Sequence, residues 1–250
     1  MKLGGTQFVI DGYKYDYCFR ESILSMQEFC DEVVVVDAGS KDGTVDVLKT
    51  LENSKTKIIY LDRDEWDSLH GWHKLNYFSN KAIAELTTEW NWYQQSDEVV
   101  HESCYLDIHK AVMQARGTTD GYLVSRINLW GSPTTALNVQ GNRNPCSTAV
   151  VRLAKSSCMT VGDAESIGCS SVDTSLLNKV RLYHFGFVRR RDIHVSKIYN
   201  MQKNVFEVDP DKKLEGMDVF DPWKWFDPSE VEPISEPLPK IMNQWALQRM

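Results

Sequence analysis

The sequence predicts an α/β protein with a mostly parallel, Rossmann-like central sheet flanked by helices. Over roughly the first hundred residues, strand-like and helix-like hydrophobic patterns alternate with short connections, and the clearest strand is a continuous apolar run rather than an alternating one. A strand is expected at residues 7–10, then an amphipathic segment with Ile23, Met26 and Phe29 on one face. Residues 32–36 form a β-branched run ending in Asp37-Ala38-Gly39-Ser40, as a strand buried on both faces does. Ser40 and Asp42 can cap a helix opening at Thr44, with Val45, Leu48 and Leu51 on its inner face, and residues 57–61 give a third strand. Leu75, Phe78, Ala82, Ile83 and Leu86 then follow the helical period, and a fourth strand at 91–95 ends in Ser96-Asp97-Glu98. Parallel sheets of this kind bind ligands beyond the carboxyl ends of their strands, where Asp37 and Asp97 both stand.

The pattern changes from residue 103 onward. Strand-like segments at 121–129, 149–153 and 180–187 are joined by loops holding Gly131, Pro133, Gly141 and Pro145, which reads as a mixed α/β half. Residues 221–250 carry five prolines (Pro222, Pro228, Pro233, Pro237, Pro239) among Trp223, Trp225 and Phe226, so an extended tail packed on the domain is expected. The organisation is one domain over residues 1–220, with halves at 1–102 and 103–220, plus the 221–250 tail.

Of the 250 residues, 42% are hydrophobic and 25% charged, an ordinary globular composition. The net charge of −7 argues against a nucleic-acid partner, since affinity for that backbone comes from clustered Lys and Arg, and Arg189-Arg190-Arg191 is a short cluster. No apolar run approaches the roughly 20 residues that span a bilayer, so no transmembrane segment is expected. The N-terminus also lacks the apolar stretch of a signal peptide, and a cytoplasmic location follows as an expectation. The six cysteines (Cys18, Cys30, Cys104, Cys146, Cys158, Cys169) form no C-x-x-C pair, which argues against a zinc or redox motif and for reduced thiols.

Asp97-Glu98 has the placement required for a hard cation such as Mg2+ or Mn2+, which takes oxygen ligands and would neutralise a departing diphosphate. Two acidic residues closing a strand and capping a helix near Ser103 would look the same. Asp37 is placed to accept hydrogen bonds from a nucleotide base or ribose, or else is an ordinary turn residue.

The segment Val33-Val34-Val35-Val36-Asp37-Ala38-Gly39-Ser40-Lys41-Asp42-Gly43-Thr44 resembles the D-x-G-S-x-D-G-T segment of family 2 glycosyltransferases, which have the GT-A fold. Gln94-Gln95-Ser96-Asp97-Glu98-Val99-Val100-His101-Glu102 is similar to the Q-A-D-E-x-x-H-E motif of a bacterial and phage branch of that family. Leu182-Tyr183-His184-Phe185-Gly186-Phe187-Val188-Arg189 is similar to that branch's H-Y-G-x-V-R segment. The resemblance implies an inverting, hexosyltransferase-like enzyme that uses Mn2+ or Mg2+, a nucleotide-sugar donor and a glycan or other hydroxyl acceptor. Residues 1–102 would bind the donor and 103–220 would face the acceptor.

By the same resemblance Asp97 is a metal ligand, Asp37 holds the nucleotide, His184 is a second metal ligand or a diphosphate contact, and Arg189 is a phosphate clamp. Gln95, Asp97 and Glu98 together line the donor site. Gln95 replaces the first carboxylate of the usual D-x-D, and Ser79 stands where many relatives have an arginine, so Lys74 or Lys81 is the substitute cation. The expected general base is Asp163 in Gly162-Asp163-Ala164-Glu165, with Glu165 and Glu102 as rivals. Trp130, Trp223 and Trp225 are candidates for stacking on acceptor sugars or for filling the core. Two alternatives remain: a nucleotide-sugar-binding protein without turnover, and a nucleotidyltransferase, for which Gly4-Gly5-Thr6 is a thin phosphate loop.

Overall fold

In the computed structural model, residues 1–138, 146–208 and 228–249 are described. The chain opens with β1 (Leu3–Val9), α1 (Phe19–Phe29), β2 (Glu32–Asp37), α2 (Thr44–Leu51), β3 (Thr56–Tyr60), α3 (Arg63–Ser68), α4 (His73–Ala84) and β4 (Trp90–Tyr93). It continues through β5 (Glu98–Val100), α5 (Tyr105–Gln114), β6 (Gly121–Trp130), β7 (Thr135–Leu137), β8 (Ala149–Lys155), β9 (Met159–Val161), β10 (Ser166–Gly168), β11 (Val172–Asp173) and β12 (Arg181–Phe187). Helix α6 (Arg191–Asn204), β13 (Val231–Pro233) and α7 (Asn243–Leu247) close it.

The main sheet runs β13-β7-β6-β8-β4-β1-β2-β3. Strands β4, β1, β2 and β3 are mutually parallel, whereas β8 is antiparallel to both β4 and β6. The expected α/β class with a mostly parallel N-terminal half is therefore what the chain adopts, and its parallel strands all end on one edge. Val33 to Val36 are fully buried because α1 covers one face and α4 the other. Ile23, Met26 and Phe29 of α1 fill the first face, each worth about 1.5–3 kcal/mol of burial.

Differences from the sequence reading have local causes. Strand β1 starts at Leu3, ahead of the expected residue 7, because Gly4-Gly5-Thr6 hides it from a hydrophobicity pattern. Neither expected cap is the N-cap of α2, which is Gly43; Asp42 just before it accepts from Thr44 N (3.1 Å) and Oγ1, while Ser40 Oγ accepts from Asp11 N (2.8 Å). Helices α3 and α6 and the β9/β10 hairpin were not expected. In the tail, residues 228–249 are not simply extended: β13 pairs antiparallel with β7, and α7 packs Trp245 and Ala246 inward. Pro222, Trp223, Trp225 and Phe226, like Gly141 and Pro145, lie outside the described residues. No disulfide joins any of the six cysteines. Among the described residues no helix is long and apolar enough to cross a membrane.

Candidate active site

The turn between β4 and β5 is held from three sides. Gln94, fully buried, donates to Ser22 O and to the hydroxyls of Ser22 and Ser25 (2.9–3.1 Å). Ser96 Oγ donates to Phe8 O (2.6 Å), and Gln95 N donates to Glu98 Oε2 (3.0 Å). These bonds aim the Asp97 carboxylate at β12 and α6. Its Oδ1 lies 3.7 Å from His184 Nε2, and its Oδ2 lies 3.1 Å from Lys197 Nζ and 3.9 Å from Arg189 Nη2. Burial alone would raise the Asp97 pKa, but Lys197 and His184 beside it hold the carboxyl well below its usual range.

His184 sits on β12 opposite Asn128 of the parallel neighbour β6, and its Nδ1 lies 2.9 Å from Asn128 Oδ1. An amide oxygen only accepts, so Nδ1 carries the proton and Nε2 faces Asp97. Burial opposes a charge on this imidazole, yet the neighbouring Cys146 and Asp97 raise its pKa to about 9. The ladder shifts register just after His184, and Gly186 passes so close that a Cβ there would overlap the imidazole and press on Asp97 Oδ2.

The chemistry of this pair suits a divalent cation: an imidazole oriented by an outer hydrogen bond faces a carboxylate oxygen 3.7 Å away. No group of three or more His, Cys, Asp or Glu side chains that could hold a metal occurs among the described residues. The remaining ligands would have to be water and phosphate oxygens, the usual company of Mg2+. A cation ligated at Nε2 would also displace the imidazolium proton.

Asp97, His184 and Lys197 line a cavity of about 320 Å3 beyond the carboxyl ends of β1 and β4, together with Gln95, Arg126 and Asp163. Tyr93 Oη and Gln95 Nε2 both donate to Ala164 O (3.0 and 3.2 Å), which pins the turn carrying Asp163 to the end of β4. Asp163 Oδ1 accepts from Glu165 N (3.2 Å), and the half-buried side chain faces the cavity. Glu165 lines the cavity too, but its oxygens are taken by Arg126 Nη2, Ser147 N and Ser147 Oγ (2.5–2.9 Å). Glu102 is elsewhere, accepting from Lys240 N (3.2 Å).

Glu98 is not presented to a ligand. It is fully buried, with Arg152 bound to both oxygens (2.9 and 2.7 Å) and Arg126 alongside at 3.4 Å. Its carboxyl is held low by these guanidiniums against the opposing effect of burial. Arg189 is also buried, donating to Tyr15 O and Phe185 O, so it acts behind the cavity wall. Trp130 packs on Phe187 (ring centroids 4.7 Å apart) and does not line the cavity.

A second cavity of about 460 Å3 adjoins the first through Ile10, Tyr15 and Trp66, and holds Lys74, Arg63 and Asp11. Lys74 Nζ lies 5.3 Å from the Trp66 ring centroid, its pKa lowered by burial. Lys81 instead pairs with Glu65 (2.5 Å). Ser79, whose Oγ bonds Leu75 O and Tyr93 Oη, is in the core, where an arginine would have no room. Asp37 lies beneath this cavity rather than on its wall, 1% exposed. Its Oδ2 accepts from Gly39 N and Ser40 N (3.2 and 3.1 Å), while among the described residues its buried Oδ1 has no hydrogen-bond partner. Gly39 has φ 84 with the Arg63 backbone where a Cβ would be, so only glycine allows α3 to close over this turn.

The sequence reading missed Lys197, Arg126 and Asn128. The two β6 residues had a signal: period two places Arg126 and Asn128 on the same buried face as Tyr122 and Val124, where a charged residue needs a partner. Lys197 had none, lying in a helix with little apolar periodicity.

No family model matches the chain, and no curated protein matches it. Solved structures of similar shape include S. aureus TarS 1-349 in complex with UDP (TM-score 0.49, 15% identity, covering 80% of this chain and 66% of that one). Others are S. aureus TarS (0.47, 14%, 82% and 40%) and mannosyl-3-phosphoglycerate synthase from Rubrobacter xylanophilus (0.39, 13%, 62% and 53%). The chain thus spans two thirds or less of the length of each of these proteins. Likeness at this level carries no argument about function, for which the side-chain geometry is the basis.

Proposed function

We propose that the chain is a glycosyltransferase of the GT-A type that moves a sugar, with inversion, from a nucleotide-sugar donor to a hydroxyl acceptor. The observation that carries this reading is the placement of Asp97, His184, Lys197 and Asp163 around one cavity at the carboxyl ends of the parallel strands. In this reading the diphosphate lies against Asp97, His184 and Lys197, and the nucleoside occupies the adjoining cavity, whose polar lining includes Lys74, Arg63 and Asp11, with Asp37 buried beneath it. Asp97 and His184 would hold Mn2+ or Mg2+, which would supply positive charge for the departing diphosphate.

Asp163 takes the acceptor hydroxyl proton as that oxygen bonds to the sugar's anomeric carbon. The bond from that carbon to the diphosphate breaks, and its electron pair leaves with the nucleoside diphosphate. Glu165 is the weaker candidate for base because Arg126 and Ser147 keep its oxygens occupied and lower its pKa against the effect of burial.

The test is release of nucleoside diphosphate from UDP-, GDP-, CDP- and ADP-sugars with Mn2+ and a panel of glycan acceptors. Wild type should release it in an acceptor-dependent way from one class of donor. Asp163→Asn should bind donor equally and turn over about 10²-fold more slowly. A variant as fast as wild type places the base elsewhere. No release from any donor, with nucleotide bound, would favour a binding protein without turnover.

A further inference from the structure

We infer that Lys197 is the counter-ion of the departing diphosphate, held in reserve on Asp97 by α6; this rests on the sugar-transfer reading above. Lys197 Nζ bonds Asp97 Oδ2 (3.1 Å) and Gly186 O (3.3 Å) and lies 4.8 Å from the Tyr17 ring centroid. It is the ammonium on the wall of the cavity that also contains Asp97 and His184.

The charge balance points to an anion. Deeper in this half, Glu98 and Glu165 match Arg152 and Arg126, two carboxylates against two guanidiniums. Around Asp97, among the described residues, a single carboxylate faces the Lys197 ammonium and the Arg189 guanidinium within 4 Å. Desolvating surplus cations is costly unless an anion joins them, and of these two Arg189 is walled off behind the cavity. Lys197 is the one with a flexible stem, a rotatable head group and open space in front of it. An anion entering the cavity would draw the ammonium off Asp97 by itself, and a cation taken up between Asp97 and His184 would add to this by competing for the same carboxylate.

Calorimetric titration of inorganic pyrophosphate into wild type, Lys197→Met and Lys197→Arg, in EDTA, reads this directly. Loss of a charge-assisted contact predicts binding weaker by about 10-fold or more in Lys197→Met and largely restored in Lys197→Arg. Titration of Mn2+ alone should show equal or tighter binding to Lys197→Met, because a competitor for Asp97 is gone. A purely structural lysine would instead weaken the cation site. Should Lys197→Met not fold, Lys197→Gln, which keeps a donor to Asp97 without its charge, takes its place with the same expectations. Pyrophosphate binding equal to wild type in the neutral variant, or weaker Mn2+ binding, would overturn the assignment while leaving sugar transfer intact. If wild type binds neither pyrophosphate nor any nucleoside diphosphate, the sugar-transfer reading falls too.

Discussion

Buried ionisable groups in this protein fall into two kinds. Glu98 and Arg152 satisfy each other with two short bonds, and such a pair specifies packing more than it adds stability. His194 is a fully buried imidazole packed beside Trp130 and Phe187, its pKa pushed down to about 3 by burial, with Arg189 and Lys197 adding to the effect. The folded chain therefore keeps it neutral, whereas the unfolded chain protonates it below its ordinary value near 6.5. Its contribution is complete above pH 6.5 and is lost as the pH falls from there toward 3, reaching about 2 kcal/mol at pH 5. Urea unfolding at pH 7 and pH 5 should show His194→Gln losing about 2 kcal/mol less between the two than wild type. Equal losses would mean that His194 is protonated in the native state.

Among the elements, α7 and Arg249 just beyond it brace the loop between β1 and α1. Arg249 pairs with Asp16, donates to Trp245 O (3.0 Å) and lies over the Trp245 ring, which packs on Phe185, the neighbour of His184 in β12. Asp16 is left-handed at φ 54, and its two neighbours, Tyr15 and Tyr17, both line the first cavity. The ion pair is partly exposed, so Arg249→Ala should cost stability by at most about 1 kcal/mol. Donor KM should nevertheless rise several-fold with kcat changed less, because the loop loses its brace and not its chemistry. Unchanged KM in steady-state kinetics would show that Tyr15 and Tyr17 hold their places without it. Strands β2, β3, β4, β6, β8 and β12 were legible because burial on both faces, or on one, writes itself into apolar runs. Helix α6 was not: two of its three buried residues, His194 and Lys197, are ionisable, so no apolar stripe marks its inner face. Helix α6, hidden from the sequence in this way, is the element that brings Lys197 to the site.

Across the whole molecule the site is a product of topology. Asp97 and Lys197 are 100 residues apart, and Asn128 and His184 are 56 apart, so no local motif contains the cluster. Asp97 was legible as the acidic residue at a parallel strand's end, and His184 from the motif around it. What could not be read was the charge around them, because β5 and β12 must pair antiparallel before Arg189 and α6 are carried to Asp97. The same closure leaves Glu98 buried and spent, although it adjoins Asp97 in sequence. The central claim, that a diphosphate binds at Asp97 with a divalent cation, is tested most directly by calorimetric titration of UDP, GDP, CDP and ADP into wild type and Asp97→Asn, with Mn2+ and with EDTA. The tightest of these ligands should gain at least about 10-fold in affinity from Mn2+ in wild type, the worth of one charge-assisted contact, and essentially nothing in folded Asp97→Asn. An equal gain from Mn2+ in both proteins would contradict it.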